Sequence, residues 1–195
     1  SHISTHARLT FNLLEGLKLN LFGAYTYNIV ENSQYLPTSV WANGQAYKGT
    51  KKRESLLGNM MLTYKKNWKK HFFDVLALAE LQKETYTGYY TTVSNFSTDK
   101  FGYNNLQAGA LRLWEGTNSY YDQPRLASFM GRFNYTYADR YVLTLNARTD
   151  ASSKFGANHK WGFFPSASAA WVISEEEFMK QLPMVDNLKF RIGYG

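Results

Sequence analysis

The chain has 195 residues, a formal net charge of +7, no cysteine and 17% aromatic residues, among them fifteen Tyr and thirteen Phe. The missing cysteine excludes disulfides and cysteine-ligated metals. A mean hydropathy of −0.44, with no apolar run near the roughly 18 residues of a transmembrane helix, excludes helical membrane spans but not strands, whose alternate residues alone face lipid.

In chain order, Ser1-His-Ile-Ser-Thr-His has neither a basic n-region nor an apolar h-region, so no signal peptide is read there. A membrane barrel starting this way is expected to be an excerpt of something longer. Leu9, Phe11 and Leu13 alternate with Thr10 and Asn12 as a first strand, and Glu15-Gly16 is a tight turn. Leu17, Leu19, Leu21, Gly23, Tyr25, Tyr27 and Ile29 form one face of a second strand, opposite Lys18, Asn20, Thr26 and Asn28. Residues 31–51 lose the alternation and contain Pro37, Asn43-Gly44 and Gly49, which reads as a long loop.

A third strand is expected at about 53–66 and a polar turn over Lys65–Lys70. The fourth, about 71–85, turns Phe73, Val75, Ala77, Ala79 and Leu81 outward. Residues 86–124, rich in Tyr, Thr, Asn, Ser and Gly, read as the longest irregular stretch. A fifth strand (about 125–137), a turn at Ala138-Asp-Arg140, a sixth strand (about 141–150), a medium loop (151–160) and a seventh strand (161–173) follow. Ser174-Glu-Glu-Glu177 has the form of a capping box, which predicts a short helix near 175–182 stopped by Pro183. Leu188, Phe190, Ile192 and Tyr194 make an eighth strand.

The sixth and seventh strands carry the fold class. Tyr141, Leu143, Leu145, Ala147 and Thr149 alternate with Thr144, Asn146, Arg148 and Asp150. On the seventh strand, Trp161, Phe163, Pro165, Ala167, Ala169, Trp171 and Ile173 share one face. Aromatics stand at the ends of these faces and small residues in the middle, the arrangement of a strand crossing a bilayer rather than of a sandwich core. The expected fold is all-β: a transmembrane antiparallel β-barrel segment of about eight strands. Short connections after the odd-numbered strands and longer ones after strands two, four and six match periplasmic turns and extracellular loops. With that orientation Tyr64, Trp68, Tyr135, Tyr137, Tyr141 and Trp171 form a periplasmic aromatic girdle, and Tyr25, Tyr27, Trp161 and Phe163 an outer one.

The runs Gly131-Arg-Phe-Asn-Tyr-Thr-Tyr-Ala-Asp-Arg-Tyr141, Arg148-Thr-Asp-Ala-Ser-Ser-Lys-Phe-Gly156, Trp161-Gly-Phe-Phe-Pro-Ser166, Trp171-Val-Ile-Ser-Glu-Glu and Asn187-Leu-Lys-Phe-Arg-Ile-Gly-Tyr-Gly195 closely resemble the SusC/RagA-like TonB-dependent transporters of the Bacteroidetes outer membrane. The likeness is specific over about 125–195. It departs at Ala151, where the family usually has glycine. The resemblance implies a bacterial outer-membrane location and a larger, 22-stranded barrel with a plugged lumen, whose plug, signal peptide and C-terminal part lie outside this chain. It also implies import of oligosaccharides or peptides, energised by the TonB complex through the plug, with a SusD-like surface lipoprotein as lid.

The residues offer little catalytic chemistry. His2, His6, His71 and His159 lack metal-ligand spacing, and Ser152-Ser153 with Asp150 and His159 shows no strained nucleophile turn. Neither an enzyme, a metal nor a cofactor is expected. Asp150–Ser153 reads as a strand-to-loop turn whose Asp and Ser side chains bond nearby amides. The scattered positive charge, with no recognition helix, argues against nucleic acid. Of two basic clusters, Lys65/Lys66/Lys69/Lys70 reads as a solvated strand end. Lys48/Lys51/Lys52/Arg53, on the outer rim, reads as another or as a contact for lipopolysaccharide phosphates.

Aromatics in expected extracellular segments, Trp41, Tyr89, Tyr90, Trp114, Tyr120 and Tyr121, are candidate substrate contacts for sugar rings or extended peptides. Packing among the loops is the other reading. Lys18, Arg132, Asn134, Asn146, Arg148, Lys189 and Arg191 are expected to line the lumen. The competing architectures are a passive porin or anchor barrel and a soluble glycan-binding β-sandwich.

Overall fold

The computed structural model describes residues 1–155, 161–179 and 184–195. Ten strands are present among them: β1 (His2–Leu14), β2 (Leu17–Leu36), β3 (Gln45–Trp68), β4 (His71–Phe96), β5 (Gly109–Leu111), β6 (Thr117–Asp122), β7 (Arg125–Tyr137), β8 (Tyr141–Ser152), β9 (Trp161–Val172) and β10 (Lys189–Tyr194). The sheet order is β1-β2-β3-β4-β7-β8-β9-β10, with β5 and β6 each paired to β4. All eight expected strands are there, and two short ones join them.

The largest departures are in length. The expected loop 31–51 shrinks to residues 37–44, because β2 continues to Leu36 and β3 begins at Gln45. The expected irregular stretch 86–124 begins as the last eleven residues of β4 and later returns as β5 and β6. Strands of 24 and 26 residues are more than twice the 9–11 a bilayer requires. Beyond the bilayer no lipid imposes alternation, yet the backbone keeps pairing.

The predicted helix is a second difference. Ile173–Glu175 form a single 3-10 turn and Glu177–Met179 another turn, while 180–183 lie outside the described residues. Ser174 does not cap a helix: its amide donates to Leu188 O at 3.1 Å, pinning the start of the connection to its end. β8 runs on through Ala151 to Ser152, so the alanine that replaces the family's glycine sits in a paired strand. The expected serine bonds form, from Arg125 N to Ser153 Oγ (2.9 Å) and from Lys154 N to Ser152 Oγ (3.2 Å), whereas Asp150 stays in the strand and accepts from the Arg148 side chain.

The chain separates into two compact units. In the unit of His6–Gly23, Leu57–Gln82 and Arg125–Gly195, register fixes which residues share a face. Tyr135, Leu143, Ala169 and Ile192 form one cross-strand row over β7–β10, and Phe133, Leu145, Ala167 and Tyr194 the next. The opposite face carries Asn134, Thr144, Ser168 and Gly193 in one row and Arg132, Asn146 and Ser166 in another. The apolar side chains of the first face remain largely exposed, Leu145 and Ile192 among them.

In the unit of Ser1–Thr5, Ala24–Leu56 and Lys83–Pro124, Ala46, Val93 and Phe96 form a small buried cluster with Tyr35, Leu106 and Ala108 packed on it. The Asp99 carboxylate clasps the β2–β3 turn to this cluster. It accepts from the Tyr35 hydroxyl (2.6 Å), the Thr38 amide (3.1 Å) and the Thr38 hydroxyl (2.7 Å). These bonds, the one from Tyr35 first, hold the Asp99 carboxyl below its usual range. In return the bond to Asp99 pushes the Tyr35 phenol up to about 12.

Two predictions follow from this architecture in the full-length protein. Gly16 sits at φ +78°, and a Cβ there would lie 2.0 Å from Lys65 O, whose own amide donates to Gly16 O at 2.9 Å. Gly16→Ala should therefore cost more than the ~1–2 kcal/mol of left-handed backbone alone, read as a lower midpoint of equilibrium unfolding in lipid vesicles. Gly23→Ala, with nothing within 4 Å of the new Cβ, should leave that midpoint unchanged. The second concerns pH. A carboxyl lowered on folding contributes stability above its unfolded pKa and loses it as pH falls through the lowered value; a raised phenol contributes below about 10 and loses it as pH rises towards 12. Exchange at the Thr38 amide, corrected for intrinsic rate, should stay slow through pH 4 and quicken only below it. Asp99→Asn should quicken it at neutral pH.

Candidate membrane face and binding cleft

At one end of the apolar face the aromatic rings touch in sequence. Trp68 stacks on His71 (centroids 5.4 Å), His71 meets Tyr137 (5.0 Å), Tyr137 stacks on Tyr141 (6.3 Å) and Tyr141 on Trp171 (6.5 Å). Tyr135 joins from beside this row, its ring 5.1 Å from Phe73 and its hydroxyl 2.8 Å from His71 Nδ1. At the other end Phe129 stacks on Trp161 at 6.0 Å, and Thr149 faces Phe163. Tyr25 and Tyr27 share a face of β2, and Tyr64 lies on β3.

From the Tyr141↔Trp171 pair to the Ala151↔Trp161 pair β8 advances ten residues. That is roughly 33 Å along the strand, or about 25 Å of bilayer at a tilt of about 40°. Between the ends lie small and aliphatic residues. A shallow apolar depression of about 410 Å³ there is lined by Met60, Leu62, Ala77, Ala79, Phe129 and Phe163, among others.

Glu176 finishes the first aromatic end. Its carboxylate accepts from the Tyr141 hydroxyl (2.7 Å), Trp171 Nε1 (3.0 Å) and Arg140 Nη1 (2.9 Å). The Tyr141 bond, followed by that from Trp171, lowers its carboxyl below the usual range. Sequence reading had assigned this glutamate to a helix turn. The signal that could have found it is proximity: Trp171 is five residues upstream, and β8 register brings Tyr141 opposite Trp171.

On the polar face, Arg132, Asn134, Asn146, Arg148, Lys189 and Arg191 fall together by register, and Lys18 shares a β2 face with Asn20. Arg148 Nε donates to Asp150 (2.8 Å), and its Nη2 reaches Ser128 Oγ at 3.5 Å. Ser128 is only 1% exposed. Asn146 donates to Ser166 Oγ at 3.2 Å, and Asn59 reaches Glu80 at 3.5 Å. Arg132 Nε is enclosed with no acceptor among the described residues.

The six candidate contact aromatics separate. Trp41 lies in the β2–β3 turn, whereas Tyr89 and Tyr90 are strand residues of β4 and Tyr120 and Tyr121 of β6. They were expected in loops. The pairs Tyr89↔Ser119 and Gly88↔Tyr120 put Tyr89 and Tyr121 on one face, and Tyr90 and Tyr120 on the other. Tyr90 stacks on Tyr47 (5.9 Å), so part of its surface is packed. Tyr89, Tyr90 and Trp114 meet in a cleft of about 580 Å³ with Arg112, Asn118 and Ser119. Arg112 was missed, since nothing in its local sequence marks it.

The first basic cluster also disperses. Strand alternation sends Lys48 and Lys52 to one face of β3, and Lys51 and Arg53 to the other. Arg53 is paired with Glu84 at 2.7 Å and lies 5.5 Å over the Tyr86 ring. In the second cluster Lys65 stands 3.7 Å from Asp74. Of the serine triad considered, Asp150 is committed to Arg148 and His159 lies outside the described residues.

Known proteins share this architecture. The family described as TonB dependent receptor-like, beta-barrel matches residues 2–195. The chain is 30% identical over 189 residues to TonB-dependent receptor P3 of Formosa agariphila, covering 95% of this chain and 19% of that protein. It is also 30% identical over 192 residues to TonB-dependent receptor SusC of Bacteroides thetaiotaomicron, covering 95% and 18%. A solved structure of the RagAB peptide transporter superposes with a TM-score of 0.83 at 17% identity, over 98% of this chain and 22% of that one. The chain thus spans under a fifth of the curated relatives' length. Match, register and amphipathic faces agree: the chain belongs to the TonB-dependent receptors and forms part of their membrane-spanning β-barrel.

Proposed function

We propose that the parent protein imports oligosaccharides or peptides across the bacterial outer membrane, energised by TonB, with a SusD-like surface lipoprotein as its lid. Proteins of this family are transporters, not enzymes. The observation that carries the reading is the two-faced wall of β7–β10: an apolar band about as tall as a bilayer, backed by a polar face of Arg132, Asn134, Asn146, Arg148, Lys189 and Arg191. We assign that face, with Lys18, to the lumen. The aromatic row through Trp68, Tyr137, Tyr141 and Trp171 serves as the periplasmic girdle together with Tyr64 and Tyr135. Tyr25, Tyr27, Trp161 and Phe163 serve as the outer one. Lys48 and Lys52, exposed on one face of β3, suit lipopolysaccharide phosphates.

Two experiments on the full-length protein test this. Leu145→Lys puts a charge near mid-bilayer and should lower stability in lipid vesicles by about 2–4 kcal/mol. Thr144→Lys, on the opposite face, should change it by less than half as much. Equal effects would mean that Leu145 does not face lipid. Uptake of a labelled substrate into cells should cease when the proton-motive force is collapsed or TonB is deleted, while surface binding persists. Undiminished uptake under both treatments would leave a passive porin instead.

A further inference from the structure

Strand β6 is held from one side. Its six residues pair with Tyr86–Thr91 of β4, from Tyr86↔Asp122 to Thr91↔Thr117, and among the described residues β6 has no second neighbour. All six are exposed. An open edge presents a row of unpaired N–H and C=O groups, which proteins normally blunt with Lys, Pro, a bulge or a cover. Thr117-Asn-Ser-Tyr-Tyr-Asp122 contains neither Lys nor Pro, and its register with β4 runs without a bulge. This edge is kept fit for pairing.

The aromatic cleft of about 580 Å³ adjoins it, sharing Thr117, Asn118 and Ser119. Its most prominent wall is Trp114, 91% exposed, on the 3-10 turn that leads directly into β6. That turn is fixed in place. Gly116 N donates to Leu113 O at 3.0 Å, and the Gly116 backbone lies so close to β4 that a Cβ would come within 3.1 Å of Thr92 O. Tyr120 is fixed too: its ring lies over Gly88, where a Cβ would stand 2.7 Å away. A large apolar ring standing in water on a turn whose backbone is already held is a contact awaiting a partner, because only its side-chain rotamers remain to be ordered on binding.

We propose that the β6 edge and this cleft bind an extended peptide, which joins the sheet as a further strand; the inference rests on the transporter reading and names the substrate class for it. A peptide main chain matches an open edge in both polarity and repeat, donor and acceptor recurring every two residues at roughly 6.6 Å. A sugar chain can stack on Trp114 and Tyr89 but offers no such row. Alternate side chains of the added strand would enter the cleft. Arg112 is the one charged residue lining it, so the site favours a peptide with a carboxylate at that point, from an acidic side chain or its C-terminus.

The test uses the full-length protein in lipid nanodiscs without an energy source, with retained ligand quantified by mass spectrometry. Three probes are compared: a random-sequence octapeptide pool, the same pool N-methylated at every second residue, and a linear glucan oligosaccharide. The unmodified pool should be retained at least tenfold more than the N-methylated one, and should slow at least tenfold the hydrogen exchange of those 117–122 amides that point away from β4. Trp114→Ala should reduce retention about tenfold. Proline placed singly along Asn118–Tyr121 separates pairing from folding: where the lost N–H points away from β4, the protein should fold and lose peptide binding. Equal retention of both pools, retention of neither, or retention of the glucan alone would overturn the proposal. So would protection, without peptide, of the β6 amides that point away from β4. Uptake that depends on the proton-motive force while any of these holds would reject the peptide edge and leave the transporter reading standing.

Discussion

A peptide group in hydrocarbon has only other peptide groups to bond with, and leaving one unpaired costs several kcal/mol. That constraint orders everything else in this chain. It demands that β7, β8, β9 and β10 pair continuously, as their unbroken registers show. Continuous pairing in turn fixes the side chains into cross-strand rows, so that one face is shared by Leu143, Ala169 and Ile192 and the other by Thr144, Ser168 and Gly193. Face chemistry follows from register, and register from backbone hydrogen bonds.

The ends of the apolar face are where the constraint relaxes, and the residues there change accordingly. Tyr and Trp are amphipathic, with a ring for the acyl boundary and a polar tip for water. Glu176 shows how the tips are used: it draws the Tyr141 hydroxyl and Trp171 Nε1 to one carboxylate and couples both to Arg140. The first turn of the expected helix is thereby replaced by a brace between the β9–β10 connection and the aromatic row. A carboxylate with three donors gains more from these charge-assisted bonds than from the dipole of a short helix's first turn.

The same constraint explains which parts of the fold were legible in the sequence. β7, β8 and β9 were bounded to within two residues because lipid on one face and polar groups on the other write a period of two into Tyr141–Asp150 and Trp161–Val172. The turn at Ala138–Arg140 was equally plain, although Ala138 and Asp139 take positive φ without being glycine. Residues 31–36, 45–52 and 86–96 were read as loop for the opposite reason. Without lipid along one whole face, a few side chains such as Ala46, Val93 and Phe96 are buried by protein while Thr, Asn, Ser and Tyr occupy either side, and the period vanishes while the ladder continues. β5, of three residues, is too short for any pattern. The candidate site inherits this contrast. The polar-face residues were found by alternation, whereas Arg112, Gly88 and Glu176 act through neighbours distant in sequence.

Release from lipid also changes what a strand can do. Within the bilayer an open edge cannot persist, so every strand there is committed to its neighbours. The β4 edge that pairs with β7 over one stretch passes to β6 and β5 over another, and among the described residues β6 has no neighbour on its far edge. The small residues on this stretch serve that arrangement rather than a turn: Gly88 makes room for the Tyr120 ring, and Gly49 for the Tyr47 hydroxyl beside Tyr90. The Asp99 clasp and the Ala46–Val93–Phe96 cluster then supply, with a handful of side chains, the rigidity that the bilayer supplies elsewhere. Strand structure carried beyond the membrane thus gives the chain a surface with fixed geometry and exposed aromatic rings. A floppy loop of the same composition would hold neither an edge in register nor Trp114 beside it, so recognition here depends on the very pairing that erased the sequence signal.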